Sequence, residues 1–477
     1  MSSDDDTEWI RLVTKEAEGA EKPAKKPRRA PPVAHLRSVP DDGETPIQTA
    51  KEEIKARLLR SSSGAPRKTP ANASLIFALD PRWSGVIAYH ALGDRIVKLK
   101  APDWHDLDKP AANEPGPWTD ADTTRAQSWI SREYGFDLGA DTLGAAIWAA
   151  GERLVIDPLR DYFEPLRGTW DGVERVDTWL SGALGAVDTP YTRAVGRRWL
   201  LSAAARALRP GVKVDCVLVL EGPQGVRKST ALATLCPDPA LFFDDDLQIG
   251  DKDAAQSLRG KWICELGELA ALSRHELGTL KAFVTRAVDS YRPSFGRTAR
   301  DFPRRAVFAA STNESEYLKD PTGNRRWWPV RVAVTGPIDI DALRAWRDQL
   351  WAEALALLDA GAPHYVDTPE LAALCSAEQA QREQGDPWEE HVAAYLRGLL
   401  EKAGAPGDEH KDACECARCR GVTVSAILQH AIGVPREKQG RGEEMRCAIL
   451  ARALGWTKGD RRRIGGSLVR PYYPPTS

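Results

Sequence analysis

Two adjoining stretches decide the fold prediction: Val217-Leu218-Val219-Leu220 and, one residue later, Gly222-Pro223-Gln224-Gly225-Val226-Arg227-Lys228-Ser229-Thr230. The first is a continuous apolar run with turn residues directly after it. Such a run is typical of a strand that is buried on both faces of a parallel sheet. The second stretch predicts a glycine-rich loop that leads into a helix.

The loop follows the phosphate-loop pattern G-x-x-x-x-G-K-[ST] at Gly222, Lys228 and Ser229. A glycine-rich turn lets backbone N–H groups point at phosphate oxygens, and the next helix presents its positive end to the anion. Lys228 can neutralise the phosphates, and Ser229 can bind Mg²⁺. The alternative is a plain turn between a strand and a helix. The predicted nucleotide-binding residues are Gly222, Pro223, Gln224, Gly225, Val226, Arg227, Lys228, Ser229 and Thr230.

Arg227 departs from the pattern, which has a second glycine at this position. Glycine gives conformational freedom and close backbone approach there. An arginine is tolerated if its backbone stays right-handed, and its side chain then adds charge near the nucleotide. The other interpretation is that Arg227 weakens or abolishes turnover.

Three more buried strands are predicted after the loop, at Leu241-Phe242-Phe243, at Trp262-Ile263-Cys264 and over residues 306–310. Helical stretches separate them. This alternation predicts an α/β domain with a mostly parallel sheet over residues 210–335.

Polar side chains follow these strands where an active site is expected. Glu265 comes at the carboxyl end of a strand that we expect beside the phosphate-loop strand, where a Mg²⁺-binding carboxylate belongs. Glu268 is placed to polarise water, and Asn313 is placed to orient water beside the γ-phosphate. Arg325 and Arg326 can stabilise charge on a transferred phosphoryl group. The structural alternatives are a surface acid, an Asx turn and a surface arginine pair.

Regions outside this domain differ from it in composition. An acidic and basic stretch with a Ser61-Ser62-Ser63-Gly64 tract predicts a disordered tail, with a short helix near residues 51–59 as the alternative there. Short apolar runs over residues 73–79 and 85–90 predict a small β element, and apolar residues at helical spacing over residues 191–208 predict a helix that ends before Pro210. The predicted organisation is a disordered tail (1–65), a mainly helical N-terminal domain (66–209), the α/β domain (210–335), a helical extension (336–400), a cysteine-containing linker (401–420) and a small winged-helix-like domain (421–477).

Charge is segregated along the chain. The 477 residues hold 66 Lys and Arg against 68 Asp and Glu, a net charge of −2, which excludes a wholly basic protein. Residues 286–331 nevertheless hold ten basic and five acidic residues, and residues 436–470 hold ten and four. Such patches suit a nucleic-acid backbone, although solvated loops have similar composition. The DNA-binding candidates are Lys281, Arg292, Arg297, Arg461, Arg462 and Arg463.

The cysteines predict no disulfide framework, because eight of them in this length are too sparse. His410, Cys414, Cys416 and Cys419 have a spacing that permits zinc binding, but a second C-x-x-C pair is missing. Thiols in a mobile loop are the alternative. No stretch reaches the roughly 18 apolar residues of a membrane span, and the polar N-terminus has no signal-peptide core, so we expect a cytoplasmic protein.

Taken together, the motifs resemble those of the virulence-associated E (VapE-like) proteins of phages, plasmids and genomic islands, which are related to the superfamily 3 helicase ATPases. The resemblance covers about residues 70–335 most strongly. It rests on these motifs in order: residues 157–162, 170–175 and 209–213, the phosphate loop, residues 265–269, Leu280-Lys281, residues 289–292, Ser311-Thr312-Asn313 and residues 320–327.

The resemblance implies a P-loop NTPase core of the ASCE and superfamily 3 type that uses ATP and Mg²⁺. Gly222 to Ser229 would be Walker A, Glu265 and Glu268 Walker B acids, Asn313 sensor 1, and Arg325 or Arg326 an arginine finger. Ser229 and Glu265 would hold the metal, and Lys281 would face the DNA strand. Related superfamily 3 enzymes work as hexameric rings on DNA, so the implied partners are single-stranded or forked DNA and further copies of the chain.

Two functions follow. The first is an ATP-dependent DNA-binding motor, a helicase that replicates a mobile element. The alternative is a DNA-binding replication or regulatory protein whose nucleotide site is weakened or acts as a switch, without unwinding. Arg227 is the residue that keeps this alternative open.

Overall fold

The computed structural model describes residues 45–102, 104, 114–245, 247, 252–267, 274–293, 298–318, 324–334, 336–383, 386–403, 416–464 and 467–475. Within these residues the chain forms an N-terminal unit, a central parallel sheet with helices on both faces, and a C-terminal unit. The N-terminal and C-terminal units each have an apolar core of their own, and one further core lies on each face of the central sheet.

The N-terminal unit combines helices with a small sheet. Its helices are α1 (Thr45–Arg57), α2 (Pro70–Leu79), α3 (Asp120–Tyr134) and α4 (Ala140–Gly151), and its strands are β1 (Ile87–His90), β2 (Arg95–Lys98), β3 (Gly116–Pro117) and β4 (Val155–Ile156). The strands pair in the order β3-β2-β1-β4. The sheet is larger than the single small β element that the sequence indicated, and four helices pack around it or beside it.

Two predictions for this unit were wrong. The run over residues 73–79, predicted as a strand, lies in α2, because Pro70 occupies the first turn and Ala73, Ile76 and Phe77 are buried at helical spacing. The predicted tail up to residue 65 contains α1. That helix is held because Ile54 is buried in the N-terminal core and Lys51 Nζ lies 2.9 Å from Glu133 Oε2. Residues 1–44 lie outside the described residues.

Three helices connect this unit to the central sheet: α5 (Pro158–Leu166), α6 (Trp179–Gly182) and α7 (Pro190–Leu208). The longest, α7, begins with a capping box in which Thr189 and Thr192 bond each other's backbone N–H groups. Most of its residues are buried, and Trp199 and Leu200 pack in the core on one face of the sheet. Its position confirms the helix predicted to end before Pro210.

The central domain is α/β, as predicted, with five parallel strands in the order β11-β5-β10-β7-β6. The strands are β5 (Val217–Glu221), β6 (Phe242–Phe243), β7 (Ile263–Leu266), β10 (Val307–Thr312) and β11 (Trp327–Arg331), and an antiparallel hairpin of β8 (Val288–Tyr291) and β9 (Arg300–Pro303) lies between β7 and β10 in sequence. The helices are α8 (Lys228–Thr234), α9 (Lys252–Ser257), α10 (Arg274–Val284), α11 (Ile340–Asp359) and α12 (Pro369–Ala380).

The apolar run that decided the prediction is buried on both faces. Val217 and Val219 belong to the core on one face of the sheet, and Leu218 and Leu220 belong to the core on the other. This alternation follows from the two-residue period of a strand. It explains why the run is continuously apolar.

The position of the strand that carries Glu265 differs from the prediction. We expected β7 directly beside β5, but β10 lies between them, and Ala309 of β10 pairs with both Leu218 and Glu265. Sequential order did not reveal this, because β10 returns to the middle of the sheet after the hairpin. Ser229 and Glu265 are therefore brought together across one intervening strand.

The C-terminal unit contains α13 (Glu389–Ala403), α14 (Ala417–Arg420), α15 (Val424–Ile427), α16 (Arg441–Ala453) and the short strands β12 (Thr457–Lys458), β13 (Arg462–Ile464), β14 (Ser467–Val469) and β15 (Tyr472–Tyr473). The strands pair as β12-β15 and β13-β14. Helix α13, which we placed in the helical extension, contributes Val392 and Leu396 to this core. The winged-helix assignment stays a prediction. Among the helices that the structure describes, none combines the length and apolar character that a membrane crossing requires.

Candidate nucleotide site at the carboxyl edge of the sheet

The predicted phosphate loop leaves the carboxyl end of β5 and enters α8. Gly222 is required by close packing, because a Cβ there would lie 2.9 Å from the carbonyl oxygen of Val332. Gly225 has a φ of +84°, in the region that favours glycine. The strand–loop–helix arrangement expected from the sequence is therefore present, and two of its glycines have separate structural reasons.

Arg227 has a left-handed backbone, with φ 67° and ψ 33°. The interpretation in which the arginine keeps a right-handed backbone is therefore wrong. A left-handed conformation at a non-glycine residue costs about 1–3 kcal/mol. The pattern's second glycine would adopt it freely, so the strain at Arg227 is the local consequence of the sequence departure.

Lys228, the first residue of α8, is directed back onto the loop. Its Nζ donates hydrogen bonds to the carbonyl oxygens of Gly222 at 2.7 Å and Pro223 at 2.9 Å. Burial lowers the pKa of Lys228, and the nearby Glu265 carboxylate opposes this shift. The ammonium group thus lies against the loop, at a position where a phosphate could replace the two carbonyl oxygens as its partner.

Ser229 and Glu265 meet below the loop. The Ser229 hydroxyl donates a hydrogen bond of 2.9 Å to Glu265 Oε1, and Glu265 is buried at the end of β7. A hydroxyl and a carboxylate are the hard oxygen donors that Mg²⁺ prefers. The described residues contain no cluster of three or more His, Cys, Asp or Glu side chains around one point, and a magnesium site completed by phosphate needs none.

A cavity of about 690 Å³ opens beside the loop. It is lined by Gly222 and Pro223, by Asn313 directly after β10, and by Arg331 at the end of β11. Asn313 is exposed, so its amide is available to a ligand. The structure therefore brings Asn313 to the same cavity as the loop, as its place after a strand predicted.

A buried cluster of one carboxylate, one arginine and one tyrosine lies directly before the first loop residue, and the sequence analysis missed it. Glu221, at the end of β5, accepts hydrogen bonds from Arg382 Nε at 2.8 Å and Nη2 at 2.9 Å, and from the Tyr317 hydroxyl at 2.8 Å. Burial and the Glu221 carboxylate raise the pKa of Tyr317 far above its usual range. An acid directly after four apolar residues was the available signal. Arg382 comes 161 residues later and gave none.

Arg325 and Arg326 do not reach this cavity in the same chain. They form a short 3₁₀ turn before β11, and Trp327, the next residue, pairs with Val217 at the start of β5. Because the strands are parallel, both arginines lie at the amino edge, roughly 13 Å or more from the loop at about 3.3 Å per strand residue. Arg331, at the other end of β11, lines the cavity instead.

The DNA-binding candidates lie in different environments. We expected Lys281 to face a DNA strand, but this residue is only 6 % exposed and is therefore buried in the single chain. Arg292, after β8, is exposed, as are Arg461 and Arg463. Arg462 is also exposed, but it donates hydrogen bonds to the Cys419 carbonyl oxygen and the Tyr473 hydroxyl.

Several predicted residues lie outside the described part of the chain: Glu268, Arg297, His410 and Cys414. Cys416 and Cys419 are described and partly buried. Zinc binding at these four ligands therefore stays a prediction, as does the role of Glu268 toward water.

A family model matches the central part of this chain. The model for the Virulence-associated protein E-like domain matches residues 164–384, a segment that contains the loop, Glu265 and Asn313. The chain carries a virulence-associated protein E-like domain. This match confirms the resemblance drawn from the motifs, and the domain extends from α5 through α12.

Solved structures are less similar to this chain than the family model is. The apo structure of the NrS-1 C terminal region is 12% identical, with 86% of this chain and 100% of that chain covered and a TM-score of 0.45. The A form of that region is 14% identical over 65% and 78% of the two chains, with a TM-score of 0.37. Such scores do not establish a shared fold. Among curated proteins, none matches this chain.

Proposed function

We propose that this VapE-like chain is an ATP- and Mg²⁺-dependent DNA-binding motor of the superfamily 3 helicase type that acts in replication of a phage, plasmid or genomic island. The observation that carries the proposal is the 2.9 Å hydrogen bond between the Ser229 hydroxyl and Glu265. Two residues 36 positions apart, on a helix and on a separate strand, meet directly below a phosphate-loop sequence. A surface acid or a plain turn would not require this contact.

Each residue of the proposed site has its own role in nucleotide binding. Backbone N–H groups of the loop and the start of α8 would hold the phosphates, and Lys228 would exchange its two carbonyl partners for phosphate oxygens. Ser229 and Glu265 would hold Mg²⁺, which neutralises phosphate charge when bound. Asn313 would orient water from the end of β10. Each of these side chains lines or borders the carboxyl edge of the sheet.

The order of the strands supports the type of P-loop core. The abbreviation ASCE refers to an additional strand between the phosphate-loop strand and the strand with the acid, together with a catalytic glutamate. In this chain β10 occupies that intermediate position, and Glu265 lies near the carboxyl end of β7 on the other side of β10. The additional strand carries Asn313, so it also supplies the third polar group of the proposed site.

The positions of Arg325 and Arg326 favour assembly with further copies. Within one chain they lie at the amino edge, whereas the loop lies at the carboxyl edge. An arginine that stabilises the transferred phosphoryl group can come from a neighbouring subunit. A ring of copies, with six as the number implied by the resemblance, would let one chain's arginine reach its neighbour's loop.

DNA contact is proposed for the β8–β9 hairpin and the C-terminal unit. Arg292 follows β8 and is exposed, and Arg300, which pairs with Tyr291 across the hairpin, is exposed too but donates hydrogen bonds to Asp94. Exposed arginines attract the phosphate backbone whatever the base sequence. Binding of single-stranded DNA should therefore weaken steeply as salt is raised.

Phosphate release with and without single-stranded DNA tests the proposal. The purified chain, with ATP and Mg²⁺, should release phosphate, and saturating oligonucleotide should raise the rate several-fold. Chelation of Mg²⁺ should stop the reaction. If the protein binds DNA equally with and without ATP and releases no phosphate, it is not a motor.

A nucleotide switch is the second candidate, and the left-handed Arg227 favours it. Strain in the loop and the capture of Lys228 by two carbonyl oxygens both disfavour a productive phosphate complex. A switch would bind ATP with Mg²⁺, change its DNA affinity on binding and turn over negligibly. Equilibrium binding of a fluorescent ATP analogue, measured beside phosphate release, separates the two candidates.

A further inference from the structure

A groove of about 580 Å³ in the C-terminal unit has an apolar floor. It runs between α16 and the β13–β14 hairpin. Met445, Ile449 and Leu468 line it and are 58 %, 46 % and 62 % exposed. Met445 and Ile449 are four residues apart, so they share one face of α16. Contiguous exposed apolar side chains of this size mark an interaction surface.

Basic side chains surround this floor: Arg452, Lys458, Arg461 and Arg470. Glu444 is the acidic residue among those that line the groove. The surface therefore fits a segment that combines apolar side chains with several carboxylates. Apolar contacts would supply most of the affinity, and the basic rim would set the preference for an acidic partner.

The N-terminal sequence of this chain has that composition. Asp4, Asp5, Asp6 and Glu8 are followed by Trp9, Ile10, Leu12 and Val13, with Arg11 as the one basic residue of residues 4–13. Trp9, Leu12 and Val13 have the i, i+3, i+4 spacing that puts side chains on one face of a helix. A tryptophan is also a side chain that contributes strongly to binding.

The intervening chain is long enough for this contact. Residues 14–44 separate the segment from α1. About 31 residues span roughly 30 Å on average as a random coil and roughly 100 Å when fully extended. A globular chain of this length has a radius of gyration of roughly 23 Å. The segment can therefore reach any face of its own molecule or of an adjacent copy.

We propose that residues 4–13 dock in this groove, with Trp9, Leu12 and Val13 on the apolar floor and the carboxylates against the basic rim. Arg461 belongs both to the rim and to the DNA-binding candidates, so the docked segment covers part of the DNA surface. The N-terminal segment then competes with DNA for the C-terminal unit. This inference stands independently of the proposed ATPase.

Photocrosslinking in the full chain tests the docking. A benzophenone amino acid in place of Leu12 should crosslink, on irradiation, to peptides of residues 441–470, as mapped by mass spectrometry. The same amino acid at Lys25, outside the segment, should not. Ile449→Glu and Leu468→Glu should each lower the crosslink by about tenfold, because a carboxylate would be placed in the apolar floor. Leu374→Glu, at a 41 % exposed residue of α12, is the matched control.

Variants that change charge distinguish specific docking from nonspecific apolar contact. Arg470→Glu, or Asp4, Asp5 and Asp6 all changed to Asn, should lower the crosslink several-fold at low salt and less at high salt. Arg470 is exposed, and Asp4, Asp5 and Asp6 lie outside the described residues. Thermal unfolding temperatures equal to that of the unchanged chain should show that folding is retained.

The outcomes are distinct. Crosslinks to residues 441–470, within one chain or between two copies, support the docking. Crosslinks elsewhere, or crosslinks that Ile449→Glu leaves unchanged, overturn it. If Ile449→Glu and Leu468→Glu weaken oligonucleotide binding but leave the crosslink unaltered, the groove is a DNA surface and the proposal is wrong.

Discussion

Buried cations have different partners at the two edges of the central sheet. At the amino edge, Arg206 is fully buried, yet its guanidinium donates to the carbonyl oxygens of Val212, Val214, Ala306 and Arg286. Arg304 is buried beside it and pairs with Asp289. Burial lowers the pKa of Arg206 to about 10. The Arg206 guanidinium is therefore held by backbone acceptors, whereas Arg304 and Asp289 pair with each other beside a cavity of about 330 Å³.

At the carboxyl edge the polar groups lie at the phosphate loop, and the loop itself lines a cavity. Lys228 bonds two carbonyl oxygens of its own loop, Ser229 and Glu265 bond each other, and Asn313 and Arg331 line open space. We call the amino edge closed because backbone carbonyl oxygens surround Arg206 in the core, although a cavity also lies at that edge, and we call the carboxyl edge open because a ligand could replace the partners of Lys228. The difference teaches that a buried cation alone does not indicate a site; partners that a ligand could replace do.

The largest expected effect is on turnover, from Lys228→Ala. Loss of the ammonium should lower ATP hydrolysis by about 100- to 1,000-fold, the usual effect of removing a charge that stabilises the transition state. The unfolding temperature should not fall, because burial already disfavours this charge in the folded state. Phosphate release and thermal unfolding measure the two effects.

Lys261→Ala is the control at the amino edge. Lys261 Nζ donates to the Phe242 carbonyl oxygen at 2.9 Å, far from the loop. It should lower stability slightly and leave the rate intact. Equal loss of turnover in both variants would remove the distinction between the edges.

The next effect is on stability, from Arg206→Met. The substitution leaves buried carbonyl oxygens without their donor, so the free energy of unfolding should fall by about 3 kcal/mol. Arg209→Met, at an exposed arginine after the same helix, should change stability by less than about 0.5 kcal/mol. Urea denaturation checks both, and a stable Arg206→Met chain would mean that the amino edge is not closed by this side chain.

A smaller effect is expected from Arg227→Gly. Glycine removes the left-handed strain but also increases the freedom of the unfolded chain, so stability should rise by about 1 kcal/mol or less. Under the motor proposal turnover should change by less than about threefold, because the loop then holds phosphate despite its strain. Arg227→Ala keeps the strain and removes only the guanidinium. A large gain in turnover with glycine alone would favour the switch.

The smallest effect is a pH dependence at the amino edge. Burial, with Arg209 and Arg206 nearby, lowers the pKa of His364, while a bond to the Lys213 carbonyl oxygen opposes the shift. The unfolded chain therefore takes up this proton first, and stability should fall as the pH drops below about 6.5. His364→Gln should flatten this decline, whereas His391→Gln, at an exposed histidine, should not. Urea midpoints at pH 7 and pH 5 measure it.

The strand and loop of the open edge were predictable because their signals are local. Four apolar residues, then a glycine-rich loop, then Lys228 and Ser229 determine a strand, a turn and a helix start within about fourteen residues. Glu265 and Asn313 were also found, since Glu265 lies near the end of a buried strand and Asn313 directly follows one. Local order was sufficient for these residues.

The remaining features depend on contacts between distant segments. The insertion of β10 between β5 and β7 follows from strand pairing, which no single segment encodes. The placement of Arg325 and Arg326 at the amino edge also follows from strand pairing, and the pairing of Arg382 with Glu221 follows from the packing of the segment after α12. For residues 73–79, an apolar run without clear periodicity fitted a helix as well as a strand.

The most direct test of the open edge is phosphate release by Glu265→Gln with Mg²⁺ and single-stranded DNA. Glutamine keeps the size and the bond to Ser229 but removes the charge that would hold the metal. We predict that hydrolysis falls by about 100-fold or more while ATP binding persists, and that Glu316→Gln, at an exposed acid, hydrolyses normally. Normal hydrolysis by Glu265→Gln would contradict the assignment of this edge as the ATPase site.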